Sequence, residues 1–267
     1  MKSKFRTIEV SNPEFESDNL RFITVKTPNL KGRGDICLYV PSISLETNTP
    51  LVILLHGVYG SAWIWSQKAG VHRTAEKMIS NQEIKPAIIA MPSDGLWGDG
   101  SAYLPHNSLN FEKWIAEDVI EAVKEVVNEV TDKSKIFIAG LSMGGYGALR
   151  IGAKYSHVFS GFSGHSSITD VPQMSLFVEE SLDHYKQDNS KEESVLEVIK
   201  MNKSNMVPFR FDCGKNDELI EYNRILHQEL LKENISHIYE EFSGKHEWKY
   251  WENHVKDSLL FFDKLLS

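Results

Sequence analysis

Residues 135–154 constrain this chain more than any other stretch. Lys135-Ile136-Phe137-Ile138-Ala139 is short, β-branched and aromatic, as suits a buried parallel strand, and residues 144–154 carry Ala, Leu and Ile at helical spacing. Between the two stands Gly140-Leu141-Ser142-Met143-Gly144. A strand that becomes a helix across so few residues must turn sharply, which lifts Ser142 out of the sheet. The flanking glycines fall where a Cβ would clash in such a turn. G-x-S-x-G by itself arises by chance in roughly one chain in ten of this length. The strand before it and the helix after it are what make Ser142 a candidate nucleophile.

The remaining apolar runs set the architecture. Residues 20–27 and 35–40 read as antiparallel edge strands joined by the turn-rich connector 28–34. Leu51-Val52-Ile53-Leu54-Leu55 reads as a central strand and 87–91 as the next buried strand along the chain. An amphipathic helix is expected over 111–130, with further strands at 158–163, 207–213 and 237–242, and further helices at 219–233 and 248–266. This alternation predicts an α/β fold with a mostly parallel sheet covered on both faces. At 267 residues and 41 % hydrophobic, one α/β domain spanning residues 1–267 is expected. Residues 164–206 break the rhythm and read as a cap or an insertion.

Charge and cysteine usage exclude several classes. A formal net charge of -8 argues against nucleic acid or an anionic membrane as partner and favours a small molecule, with self-association left open. Cys37 and Cys213 are too few to staple a secreted scaffold, and no apolar run is long enough for a leader or a membrane span. The expectation is a cytoplasmic protein, provided that no leader was trimmed. No H-E-x-x-H, C-x-x-C or close His pair suggests a metal, and no phosphate-binding loop suggests a nucleotide, so no cofactor is expected.

A serine hydroxyl attacks at neutral pH only beside a base that is itself oriented by a carboxylate. Ligands of open α/β sheets gather beyond the C-terminal strand ends, so both groups should follow later strands. His246, in Gly244-Lys245-His246-Glu247-Trp248, sits between the last strand and the last helix, whereas His227 and His254 lie within helices and His237 opens a strand. Asp217 lies in the loop after strand 207–213, Asp212 lies inside that strand, and Asp170 follows an earlier one. His56-Gly57-Val58-Tyr59-Gly60 follows the central strand and reads either as an oxyanion loop, with the Val58 and Met143 amides aimed at one spot, or as an ordinary turn. Trp63, Trp97, Tyr146 and Trp248 are candidates for the walls of a substrate pocket, and each could equally be core.

Four segments together carry a resemblance: Leu54-Leu55-His56-Gly57, the elbow from Gly140 to Leu149, Cys213-Gly214-Lys215-Asn216-Asp217, and Gly244-Lys245-His246-Glu247-Trp248-Lys249-Tyr250-Trp251. Over roughly residues 20 to 265 the chain resembles the putative-esterase family of α/β-hydrolases, which includes tributyrin-type and feruloyl esterases, S-formylglutathione hydrolases and mycolyltransferases. The resemblance implies an α/β-hydrolase fold and a metal-free serine esterase whose triad falls on Ser142, Asp217 and His246. The His-x-Trp ending is nearer to tributyrin and feruloyl esterases, and residues 164–206 match no one subgroup. The expected function is a serine carboxylesterase that cleaves short-chain acyl or aryl esters through an acyl-enzyme. An acyltransferase, or a thioesterase of the S-formylglutathione type, is the nearest alternative; a non-catalytic binding module on a hydrolase scaffold is the alternative of another class.

Overall fold

A computed structural model describes residues 3–266. Eleven strands form: β1 Ile8–Val10, β2 Leu20–Thr27, β3 Gly32–Tyr39, β4 Leu51–Leu55, β5 Ile88–Pro92, β6 Pro105–His106, β7 Leu109–Asn110, β8 Ile136–Leu141, β9 Gly161–His165, β10 Phe209–Gly214 and β11 Ile238–Phe242. The helices are α1 Ile64–Gln67, α2 Val71–Ser80, α3 Phe111–Lys113, α4 Ile120–Val126, α5 Met143–Lys154, α6 Val195–Met201, α7 Ile220–Lys232 and α8 Trp248–Lys264. A wider π turn, Trp114–Val119, joins α3 to α4.

Nine strands make one sheet in the order β1-β2-β3-β5-β4-β8-β9-β10-β11, and β6 pairs with β7 alone. Neighbouring strands from β1 through β2 and β3 to β5 pair antiparallel, and from β5 to β11 every pairing is parallel. After β4 the chain goes to β5 on one side, then returns to β8 on the other. The strand order therefore reverses between β4 and β8, where a crevice opens above their C-terminal ends.

The period of two along the central strands sorts their side chains onto two faces. Leu51, Ile53 and Leu55 of β4, with Ile136 and Ile138 of β8, join the core beneath Trp114, Leu149, Val198 and Leu226. Val52 and Leu54, with Phe137, Ala139 and Leu141, join the opposite core beneath Val71, Met78, Val255 and Phe262. Every residue of β4 and β8 is buried, so both faces of these strands must be apolar, and a one-residue slip would exchange the two cores.

Three expectations shift in register. The β2–β3 ladder continues to Thr27↔Gly32, through residues that read as a turn. There Gly34 is a packing glycine, since a Cβ would lie 2.5 Å from Trp114 Cη2. The expected helix to residue 130 ends at Val126; Val127 and Val130 keep the helical spacing because they plug the core from the following turn. The strand expected at 158–163 begins at Gly161, because the amides of Val158 and Phe159 donate to Tyr155 O, 2.8 and 3.0 Å away, and close the turn after α5.

Residues 164–206 begin with the last two residues of β9 and continue as 3₁₀ turns at Val171–Leu176, Leu182–Tyr185 and Ser190–Glu193, followed by α6. The segment is tied down by charge. Buried Arg150 of α5 donates to Glu192 O at 2.6 Å and pairs with Glu192 and with buried Glu112, while Tyr146 Oη donates to Glu193 O at 2.8 Å. No helix among the described residues is long and apolar enough to cross a membrane.

Candidate active site

The turn from β8 to α5 is the strained element of the site. Ser142 has φ 55° and ψ −118°, a conformation costly for a residue with a Cβ by about 1–3 kcal/mol and sustained only where the surroundings enforce it. They do so by contact. A Cβ on Gly140 would lie 2.2 Å from Gly144 O, and one on Gly144 would lie 2.3 Å from Leu55 O, so both glycines are required by close backbone approach. The Ser142 amide donates to His165 O at 2.9 Å, which anchors the turn to β9.

Three loops bring the expected residues together. His246 Nδ1–H donates to Asp217 Oδ2 at 3.0 Å and to Oδ1 at 3.1 Å. That leaves Nε2 of the neutral ring as an acceptor, 3.0 Å from Ser142 Oγ. The acid and histidine loops are stitched by backbone bonds, Lys215 N to Phe242 O at 2.8 Å and Asn216 N to Gly244 O at 2.9 Å. Burial raises the Asp217 carboxyl, but the His246 contact, the Leu219 amide at 2.8 Å and the Ser166 hydroxyl outweigh it and hold the group below the usual carboxylate range.

Asp212, the other candidate acid, makes no contact with His246. Its carboxylate meets Tyr250 Oη at 2.7 Å, His165 Nδ1 at 2.9 Å and Arg210 Nη1 at 2.8 Å. Burial raises it too, and His165, Arg210 and Tyr250 together lower it further than burial raises it. A lowered carboxyl contributes stability that is present above its unfolded value near pH 4 and is lost as pH falls through the folded value. Burial of His72, His106 and His237 lowers their pKa values, so the urea midpoint should begin to fall below about pH 6.5, and loss of these carboxylate contacts should add a further drop below about pH 4. A midpoint with no such further drop down to about pH 2 would show these carboxylates uncoupled from folding.

On the other side of Ser142 lies the loop after β4. Buried His56 accepts the Asp94 amide on Nε2 at 3.0 Å, which makes Nδ1–H the donor to Gly57 O at 2.7 Å and fixes the turn that carries Val58. The amides of Val58 and Met143 have no acceptor among the described residues. Their side chains meet at one point: a Cβ on Gly100 would lie 2.4 Å from Met143 Sδ and 3.3 Å from Val58 Cγ1.

The four aromatic candidates divide. Trp63 stands 49 % exposed on the loop beyond Val58. Trp97 packs edge-on to His106, His184 and Tyr185, and Trp248 packs edge-on to Trp65 and Trp251 with the Lys68 ammonium 5.4 Å from its ring centre. Tyr146, expected at the pocket, is fully buried against Arg150 and offers no surface to a substrate, because it is on the core side of α5. Two rings not anticipated from the sequence lie on His246 itself: Phe177 stacks at 5.1 Å and Trp251 packs edge-on at 5.0 Å. Tyr59, 66 % exposed, donates its hydroxyl to Phe177 O and so links the β4 loop to residues 164–206. Nothing periodic marks Phe177 in the sequence.

A buried-sheet scaffold whose nucleophile-like serine, carboxylate and histidine follow three parallel strands, here β8, β10 and β11, defines the α/β-hydrolase class. Comparison with known proteins specifies it further. Residues 27–262 match the Esterase family, described as "Putative esterase", and the chain belongs to that family. It is 28 % identical over 264 residues to an acetyl esterase of Caldicellulosiruptor saccharolyticus, with 92 % of each chain covered. Among solved structures, a ferulic acid esterase matches with a TM-score of 0.79 at 20 % identity, covering 99 % of this chain and all of that one. An S-formylglutathione hydrolase from Agrobacterium tumefaciens matches with a TM-score of 0.78 at 17 % identity, covering 98 % and 99 %. The protein is an α/β-hydrolase of the serine esterase type, acting on carboxylic esters.

Proposed function

We propose that this protein hydrolyses short-chain acyl or aryl esters with Ser142 as nucleophile, His246 as general base and then acid, and Asp217 as the group that orients the imidazole. The observation that carries this reading is the unbroken line of contacts from Ser142 Oγ through His246 to Asp217, at 3.0 Å on each side of the ring, above the point where the strand order reverses. As Oγ attacks the ester carbonyl, Nε2 takes its proton, and the imidazolium is stabilised by the buried carboxylate. Charge develops on the carbonyl oxygen, where the unpaired Val58 and Met143 amides act as an oxyanion hole. Collapse expels the alcohol, protonated by His246. Water, activated by the same base, then releases the acid and restores Ser142.

The rings of Phe177 and Trp251 on His246 support an acyl site with apolar walls, for which Trp63, Trp97 and Trp248 are further candidates, with residues 164–206 as a cap whose Phe177 covers one face of His246. The name of the acetyl esterase relative points the same way. Two buried, unpaired thiols, Cys37 and Cys213, fit action in a reducing cytoplasm.

In a panel of p-nitrophenyl esters, acetate and butyrate should be cleaved with kcat/KM at least roughly tenfold above palmitate, a difference of about 1.4 kcal/mol in transition-state binding. Methyl ferulate, an acetylated sugar and S-formylglutathione complete the panel. A preference for acyl chains of about twelve carbons or more would overturn the short-acyl reading. Faster transfer to an added alcohol than to water would make the enzyme an acyltransferase.

A further inference from the structure

Beneath the site lies a second serine, histidine and aspartate in contact. His165 Nε2 is 2.7 Å from Ser258 Oγ, and His165 Nδ1 is 2.9 Å from Asp212 Oδ2. This array is not a second active centre, because Ser258, His165 and Asp212 have no exposed surface at all. It is extended by Arg210, 2.8 Å from Asp212, and by Tyr250, whose hydroxyl donates to Asp212 Oδ1 at 2.7 Å. Ser163 Oγ completes it, 2.6 Å from Ser258 Oγ.

Each of the three reacting loops rests on this cluster. The His165 carbonyl accepts the Ser142 amide at 2.9 Å. The Asp212 carbonyl accepts the amide of Ser166, the residue after His165, at 2.8 Å. The Tyr250 ring packs against Gly244, two residues before His246, so closely that a Cβ there would lie 2.5 Å from Tyr250 Cδ2. Gly244 O in turn accepts the amide of Asn216, next to Asp217, at 2.9 Å.

We propose that the buried Asp212–Tyr250 hydrogen bond, backed by Arg210, His165 and Ser258, is a positioning device that sets the His246 loop against Ser142. The reason is geometric. His246 lies on a loop and cannot be held by a helix or a strand, whereas Tyr250 lies in the first turn of α8 and Asp212 on β10, paired on both sides by β9 and β11, both fixed by burial. A buried ionic group is kept at a desolvation cost that an apolar replacement would avoid, and one recognised return for that cost is a single, well-defined arrangement of the groups bonded to it. A shift of about 1 Å between reacting groups lowers rates by as much as 10²-fold, so the hydroxyl of one tyrosine outside the triad can govern turnover.

This inference rests on the triad reading, and Tyr250→Phe separates the two. The substitution removes one hydroxyl and leaves the ring against Gly244. With active sites counted by phosphonate adduct, kcat per site on p-nitrophenyl acetate should fall about tenfold while KM stays within about twofold, and adduct formation at Ser142 should slow in parallel yet still reach one per chain. Tyr239→Phe, which removes a hydroxyl bonded to Glu241 at 3.0 Å on β11, should keep wild-type kcat. A hydroxyl that served only stability would lower the melting temperature and leave kcat per titrated site unchanged, and that result overturns the proposal. If Tyr250→Phe does not fold, Ser258→Ala at the far end of the cluster decides by the same per-site measurement. Absence of any adduct in the unaltered enzyme would instead overturn the Ser142 assignment.

Discussion

Ser142→Ala should lower kcat on p-nitrophenyl acetate by about 10⁶-fold and abolish the one covalent adduct that an organophosphonate leaves on the unaltered chain. The expectation follows from the turn. Ser142 is held at φ 55° by backbone contacts of Gly140 and Gly144, a strained placement that aims Oγ at His246 Nε2, 3.0 Å away. Alanine occupies the same turn with one atom fewer, so the fold should survive while the attacking oxygen is lost. Intact-mass spectrometry gives the answer without reference to a substrate. An adduct that persists in Ser142→Ala, or none in the parent chain, would end the serine-nucleophile reading.

Asp217→Asn should cost about 10⁴-fold in kcat with little change in KM. The carboxylate accepts Nδ1–H through both oxygens, at 3.0 and 3.1 Å, and thereby keeps Nε2 free to accept the serine proton. A carboxamide can present N–H to the ring instead, which favours the tautomer with its proton on Nε2, unable to act as the base. Asp212→Asn should act differently, since Asp212 touches Tyr250, His165 and Arg210 and not His246. It leaves Arg210 and His165 with a weaker partner, so its chief effect should fall on stability, with a smaller loss in kcat transmitted through Tyr250. Should Asp217→Asn retain activity while Asp212→Asn loses it 10⁴-fold, the acid has been assigned to the wrong residue.

The predictions share a logic in which burial decides what a carboxylate does. Asp217 is at a loop with one side open to the imidazole, and Asp212 is enclosed by a guanidinium, an imidazole and a phenol. Both are held below the usual carboxylate range against the opposing effect of burial, but only the first touches His246, the group proposed to gain and lose a proton in each cycle.

The sequence alone determined the elements whose cause is local. The apolar runs at 51–55 and within 135–139 read as buried strands, because a strand covered on both faces lacks a polar side, and they form β4 and β8. The tight G-x-S-x-G turn announces Ser142, because no other spacing lets strand, turn and helix follow so closely. Asp217 and His246 were legible for a related reason: each stands just past a strand, where loop residues converge at one edge of a parallel sheet. Only the tertiary structure decided the rest. Tyr146 is one turn into the helix after the serine and looks like a pocket wall, yet α5 turns it inward to Arg150 and Glu193. Phe177 and Tyr59 are far apart in the chain and carry no pattern, and Tyr59 meets the Phe177 carbonyl while the Phe177 ring stacks on His246 because residues 164–206 fold back toward the β4 loop. The same holds for the cluster of Asp212, His165, Arg210, Tyr250 and Ser258. Its members come from two strands and a helix, and their proximity depends on strand register and on the angle of α8, which short-range periodicity does not encode.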